Sequence, residues 1–195
     1  LGLVLLLIAC YLIGSVPVGY LAGRIKGIDV RKHGSGNIGM TNVTRVVGRI
    51  PGLVVLAGDI LKGVLATWLG LRVGGPSVAL LGGLAAIIGH NWSVFLGGRG
   101  GRGVATSAGV LLTLSPAVAL SAVGVWLATL LVFRYVSVAS MVAGCSVPLF
   151  MLVYRQPAGY LLLSLVIAGL ILNQHRPNIR RLKEGREFRI GERHH

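Results

Sequence analysis

Seven apolar runs, at about residues 2–22, 52–71, 76–95, 104–114, 117–133, 136–153 and 158–173, are separated by short polar connections. A hydrocarbon core about 30 Å thick takes about 20 helical residues to cross, and a helix meets its own backbone hydrogen-bonding needs there. The pattern predicts an all-α integral membrane protein with seven transmembrane helices and cytoplasmic glycine-rich loops. The fourth run is too short to cross vertically and is expected to be tilted, half-inserted or continued by buried polar turns. Connections this short leave no room for a second domain, so residues 1–195 read as a single polytopic domain. Composition agrees, with 54% apolar and 12% charged residues.

All but Lys62, Arg72 and Arg155 of the 19 Lys and Arg residues lie in four places: after the first, third, fifth and seventh helices. Basic residues gather in the cytoplasmic connections, so this spacing predicts an N-terminus outside and a C-terminus in the cytoplasm. A net charge of +14 then forms a one-sided basic surface beside anionic headgroups. Nucleic acid is not an expected partner, because no basic and aromatic module stands outside the membrane. The first helix is expected to be retained rather than cleaved. Cys10 and Cys145 sit within apolar runs and lack CxxC or Cys/His spacing, so neither a disulfide nor a metal site is expected. His194 and His195 read as a tag remnant and are set aside. Asp59 and Lys62, three residues apart in one helix, read as an internal ion pair, and His90 reads as a packed or capping residue. Gly82 and Gly83 read as sites of close helix packing.

Polar residues capable of chemistry fall in three cytoplasmic stretches. The first, "HGSGNIGMTNVTR" at 33–45, contains Gly34, Gly36 and Gly39 at GxGxxG spacing. A dinucleotide unit would need a short strand before that loop and an acidic residue about 20 positions after it. Here a long apolar run precedes it, and Asp59 lies inside another, so the glycines are read differently: they free the backbone to present amides to an oxyanion. Ser35, Asn37 and Asn42 add polar side chains, and Arg45 a planar cationic fork. The second stretch, at 89–109, carries "GGRGGRG" into an apolar helix start. Gly98, Arg99, Gly100, Gly101, Arg102 and Gly103 thus meet unpaired amides at the positive end of a helix, an arrangement suited to anions. It is not a Walker loop, since the GK[ST] ending is missing. The third, "HRPNIRRLKEGREFRIG" at 175–191, places His175 and Asn178 at i and i+3, so a continuing helix would turn both to one side. Clustered donors without clustered carboxylates suit an anionic substrate.

In this order the three stretches resemble the GSGNxGATN, GHxxPVFLGFKGGKGVAT and HRxNIxRLxxGxE motifs of the bacterial acyl-phosphate:glycerol-3-phosphate acyltransferases, and the resemblance spans essentially the whole chain. Met40, Ser93, Arg99 and Arg102 depart from the family pattern, where Ala, Pro and two Lys are usual. The resemblance implies transfer of a fatty acyl group from acyl phosphate to the 1-hydroxyl of sn-glycerol 3-phosphate, giving lysophosphatidic acid and phosphate in a bacterial inner membrane. It implies functional coupling to an enzyme that makes acyl phosphate, with no cofactor. It assigns catalytic roles to Ser35, Arg45, His175 and Asn178. Substrate contacts fall to Gly34, Gly36, Asn37, Asn42, Gly98, Arg99, Gly100, Gly101, Arg102, Gly103 and Ser140. Glu187 reads as structural, and Ser137 belongs to the same serine-bearing junction as Ser140.

The proton released by the attacking hydroxyl has two possible acceptors: His175 as general base, or a phosphate oxygen of the substrate. No Ser-His-Asp set and no HxxxxD signature decides between them. A transporter of anionic lipids would instead concentrate polar groups near the bilayer midplane, and a noncatalytic scaffold would form no product.

Overall fold

The structure, a computed structural model, describes residues 1–190; Gly191, Glu192, Arg193, His194 and His195 lie outside the described residues. Among the described residues the regular structure is helical, with no strand. Gly2–Ile25, Arg49–Leu96, Pro116–Phe133 and Val136–Val153 are long and apolar enough to cross a membrane, and Ala158–Gln174 with Arg176–Lys183 makes a fifth if that pair, bent by 53°, counts as one span. Length and composition alone give four or five candidate spans, counting the folded-back Arg49–Leu96 as one. The chain divides into two compact units, Leu1–Leu114 and the residues from Ser115 onward.

The first unit opens with a helix that the sequence suggested would be continuous. It is instead broken into α1 (Gly2–Ser15) and α2 (Val18–Ile25). Pro17 explains the break, because it has no N–H to give and disfavours helical geometry in the residue before it. The freed carbonyls find buried partners: Ser93 Oγ donates to Ser15 O at 2.6 Å, and Lys62 Nζ to Val16 O at 3.2 Å. Irregular backbone at membrane depth is tolerated where protein groups satisfy it in this way.

Two helices follow, the short α3 (Met40–Val46) and α4 (Arg49–Asn91). A straight helix of 43 residues would be about 65 Å long, twice the hydrocarbon thickness. The chain avoids this by folding back at Gly74 and Gly75. Gly75 has φ +70°, which only glycine adopts readily. The two arms pack tightly enough that a Cβ on Gly70 would lie 2.6 Å from Ala79 Cα, and one on Gly82 2.9 Å from Ala66 O. α1 lies against the hairpin, with Cys10, Ala66 and Ala86 forming a buried contact. The short apolar α5 (Val104–Leu114) packs on the first arm through Gly63 and Gly109. Gly82 and Gly83 thus serve close packing, as read from the sequence.

Asp59 and Lys62 form the expected ion pair inside this unit, Nζ to Oδ1 2.8 Å, and both are buried. Across the hairpin, His90 Nδ1 lies 3.6 Å from the same carboxylate oxygen. Burying charge in an apolar bundle is costly unless it is paired and hydrogen-bonded, and here Lys62 pairs with Asp59 and also donates to Val16 O.

In the second unit α6 (Pro116–Phe133), α7 (Val136–Val153), α8 (Ala158–Gln174) and α9 (Arg176–Lys183) each pack on the next. Leu127, Leu131, Leu149 and Leu162 are exposed, as expected of surfaces that face lipid.

Candidate active site

The first glycine loop is shaped by Asn42, a buried residue in the first turn of α3. Its Oδ1 accepts from Ser35 N–H at 2.8 Å, while its Nδ2 points at the carbonyls of Val30, His33 and Asn37, 2.9–3.1 Å away. Gly36 N–H is likewise taken, by His33 O at 3.0 Å. Two amides that the sequence offered to an oxyanion are therefore spent within the loop. What the loop presents instead are side chains: half-buried Ser35 and Asn37, and Arg45 on the exposed face of α3. Asn42, read from the sequence as a substrate contact, holds the loop together here, with both ends of its amide bonded to backbone. Gly34 and Gly36 both have positive φ, and a Cβ on Gly34 would lie 2.4 Å from Asn42 Oδ1, so this glycine serves the same packing. Upstream, Arg31 bonds both oxygens of Asp29, at 2.9 and 2.8 Å, and this hydrogen bonding holds the Asp29 carboxyl well below its ordinary range.

The second loop follows the end of α4 and a 3₁₀ turn at Val94–Leu96. Leu96 packs against buried Val30, Ile38 and Val43, so the first two motifs share an apolar core. Gly101 N–H donates to His90 O at 2.9 Å, and a Cβ on Gly100 would lie only 2.0 Å from that oxygen. The closeness of Gly100 and Gly101 thus serves contact with α4, where the sequence reading had reserved it for a ligand. His90 is the packed residue the sequence suggested, and it supports the loop from below. Gly98 and Arg99 are exposed and Arg102 is half-buried.

Gly103 (φ +79°) delivers the chain into α5, whose first closed backbone bond is Ser107 N–H to Gly103 O at 2.7 Å. The amides of Val104, Ala105 and Thr106 precede it and have no helix carbonyl to meet. Around this end lie polar side-chain atoms that are buried without a hydrogen-bond partner among the described residues: both amide atoms of Asn91, Thr106 Oγ1 and Ser107 Oγ. Helix-start amides, a positive helix end and unmet buried polar atoms are the chemistry that suits an anion. Asn91, Thr106 and Ser107 were not singled out from the sequence. Only the hydroxyls of "VATS" at a helix start, beside the glycine run, hinted at them.

The third motif belongs to the second unit. His175 stands at the bend between α8 and α9, is 1% exposed, and its Nδ1 lies 2.8 Å from Ile171 O. A carbonyl can only accept, so Nδ1 carries the hydrogen, and in the neutral ring Nε2 is the accepting nitrogen. Glu187 organises the rest. Its Oε1 accepts from Ser137 Oγ (2.7 Å) and Asn178 Nδ2 (2.6 Å), and its Oε2 from Arg181 Nε (2.8 Å). The structural reading of Glu187 is the one this geometry supports. Asn178 gives one Nδ2 hydrogen to Glu187 and keeps a buried Oδ1 without a partner among the described residues, so that oxygen can accept a hydrogen bond. Ser140, expected to touch substrate, donates to Val136 O at 2.8 Å and accepts from Trp126 Nε1 at 3.2 Å. In this structure Ser140, bonded within α7 and from Trp126, ties α6 to α7.

Residues 4–185 match the glycerol-3-phosphate acyltransferase family. "Glycerol-3-phosphate acyltransferase 2" of Moorella thermoacetica is 49% identical over 97% of this chain and 98% of that protein. The chain belongs to the glycerol-3-phosphate acyltransferase family. Glycerol-3-phosphate acyltransferase of Desulforudis audaxviator is 48% identical, over 97% of this chain and 96% of the relative. The crystal structure of PlsY (YgiH), an integral membrane glycerol 3-phosphate acyltransferase, in its glycerol 3-phosphate form is 43% identical and superposes with a TM-score of 0.94, covering 98% of this chain and 96% of that one. Its lysophosphatidic acid form gives 0.91 at 42% identity, with the same coverage. Membership accounts for the all-helical, lipid-facing architecture of this acyltransferase-family chain, an integral membrane protein.

Proposed function

We propose that this protein transfers a fatty acyl group from acyl phosphate to the 1-hydroxyl of sn-glycerol 3-phosphate, as a single acyltransferase domain of the bacterial inner membrane. The observation that carries the reading is the start of α5, where open amides and unmet buried polar atoms suit a phosphate. The related PlsY structures, in glycerol 3-phosphate and lysophosphatidic acid forms, supply the substrate and product classes. Ser35, Asn37, Arg45, Arg99 and Arg102 hold phosphate groups, the glycines shape the backbone beneath them, and His175 with Asn178 orients the attacking hydroxyl.

The hydroxyl oxygen bonds to the acyl carbonyl carbon, the bond from that carbon to the phosphate oxygen breaks, and inorganic phosphate leaves. The proton passes to a phosphate oxygen while His175 Nε2 positions the hydroxyl. Acyl phosphate is a mixed anhydride and arrives already activated, so proximity and charge stabilisation supply much of the rate. Functional coupling to an enzyme that makes acyl phosphate follows from the choice of donor.

Seven spans with the N-terminus outside are part of the proposal. The α4 hairpin supports them, since its two arms make one long helical stretch into two crossings, with α5 short and α1 with α2, α6, α7 and α8 supplying the others.

The donor is tested by offering purified protein acyl phosphate, acyl-CoA and acyl carrier protein thioesters separately, without ATP and with a chelator present. Lysophosphatidic acid is expected from acyl phosphate alone, and obligatory use of acyl-CoA would overturn the reading. A second measurement addresses the proton. His175→Gln keeps hydrogen bonding but cannot titrate, so turnover is expected to fall by only about tenfold, with the pH dependence set by phosphate. A general base contributes about 10²–10⁴-fold, so near-zero turnover in a folded variant that still binds both substrates would assign that role to His175.

A further inference from the structure

Asn91 is 2% exposed at the end of α4, and neither Oδ1 nor Nδ2 has a partner among the described residues. Leaving a buried polar group unmet costs about 1–3 kcal/mol, so an amide open at both ends points to something that completes it. Its position is specific. A Cβ on Gly103 would lie 2.8 Å from Asn91 Oδ1 and 3.3 Å from Nδ2, so the side chain rests against the residue that leads into α5. Thr106 Oγ1 and Ser107 Oγ, buried and also unmet, belong to the first turns of that helix.

The two ends of an amide ask for different chemistry. Nδ2 donates and suits a phosphate oxygen. Oδ1 only accepts, and a phosphate monoester ionised above its second pKa, about 6, has no hydrogen to offer it. A ligand that completes both ends therefore carries a hydroxyl near its phosphate. Glycerol 3-phosphate has two hydroxyls. The 1-hydroxyl gives up its hydrogen in the reaction, whereas the 2-hydroxyl keeps its own throughout and is the durable partner.

We infer that Asn91 is a specificity-determining contact, with Nδ2 toward the phosphate and Oδ1 accepting from the 2-hydroxyl of the acceptor. The inference rests on the proposed reaction and adds to it the selection of a polyol phosphate over a plain alkyl phosphate. A site built to bond a hydroxyl strongly rejects the analogue that lacks it, because its own polar group is then left unmet.

The experiment compares kcat/KM for sn-glycerol 3-phosphate with that for 3-hydroxypropyl phosphate, which lacks the 2-hydroxyl. Wild type, Asn91→Leu and the smaller Asn91→Ser are measured, with thermal unfolding of each in detergent. Wild type is expected to favour glycerol 3-phosphate by about 100-fold or more. In both variants the ratio should collapse by at least about tenfold, through a higher KM for glycerol 3-phosphate and little change for the analogue. If the folded variants keep the wild-type ratio while only their melting temperature falls, Asn91 merely holds a structural water and the inference is overturned. A wild type that acylates both acceptors equally well also overturns it, leaving the proposed reaction intact. A wild type that acylates neither overturns the reaction and this inference with it.

Discussion

Gly100→Ala is expected to lower kcat/KM for glycerol 3-phosphate by about 100-fold, the scale of loss for a displacement of about 1 Å near reacting groups. A Cβ at this position would sit 2.0 Å from His90 O and 2.7 Å from Asn91 O, both backbone atoms that cannot swing aside. The loop must lift from α4, and Gly103 and the start of α5 move with it. Gly98→Ala is the contrast: its φ of +77° adds strain, but a Cβ there meets nothing within 4 Å. Its loss should be about tenfold or less, the consequence of roughly 1 kcal/mol of backbone strain. Steady-state kinetics and calorimetric titration of glycerol 3-phosphate check both variants. A folded Gly100→Ala protein with normal affinity and turnover would reduce the loop to a connector.

Glu187→Leu carries the other large effect. One buried carboxylate accepts from Ser137, Asn178 and Arg181, and removing it leaves the Arg181 guanidinium and the Asn178 amide without that partner. Breaking a buried charge pair on one side costs about 3–5 kcal/mol. The expected result is a clear drop in melting temperature in detergent together with loss of turnover. Glu187→Gln, which keeps the shape, should lose less on both counts. Asn178→Asp fails for a related reason, because it replaces a donor 2.6 Å from the Glu187 carboxylate with a second acid. Wild-type stability in Glu187→Leu would show that the hub holds nothing together.

What could be read from the sequence was whatever repeats along one helix or within one loop. The apolar runs located the helices, the i, i+3 spacing found the Asp59 and Lys62 pair, and the glycine run ahead of "VATS" found the start of α5. Contacts between distant segments were not accessible in that way. Asn42 looked like one more polar residue of a phosphate loop, because nothing in "MTN" shows that its amide is committed to carbonyls up to twelve positions upstream. The bond from Trp126 to Ser140 was hidden for the same reason, since Trp126 lies on another helix. Asn91 was passed over because its neighbour Gly103 is twelve residues away. The break at Pro17 was legible in principle, but the hydropathy of the run around it concealed a change in backbone that leaves hydropathy untouched.

The α4 hairpin also sets a schedule for biogenesis. Asp59 and Lys62 on the first arm are made after the Val16 carbonyl that receives Lys62, and Asp59 is made 31 residues before His90, which lies beside it on the returning arm. At about 5–20 residues per second, those 31 further residues take roughly 2–6 s to make. Through that interval the Asp59 carboxylate has Lys62 beside it but not yet His90. In the proposed seven-span arrangement the brief Gly74 and Gly75 turn, beside the single charge of Arg72, is what has to cross the bilayer ahead of the two arms.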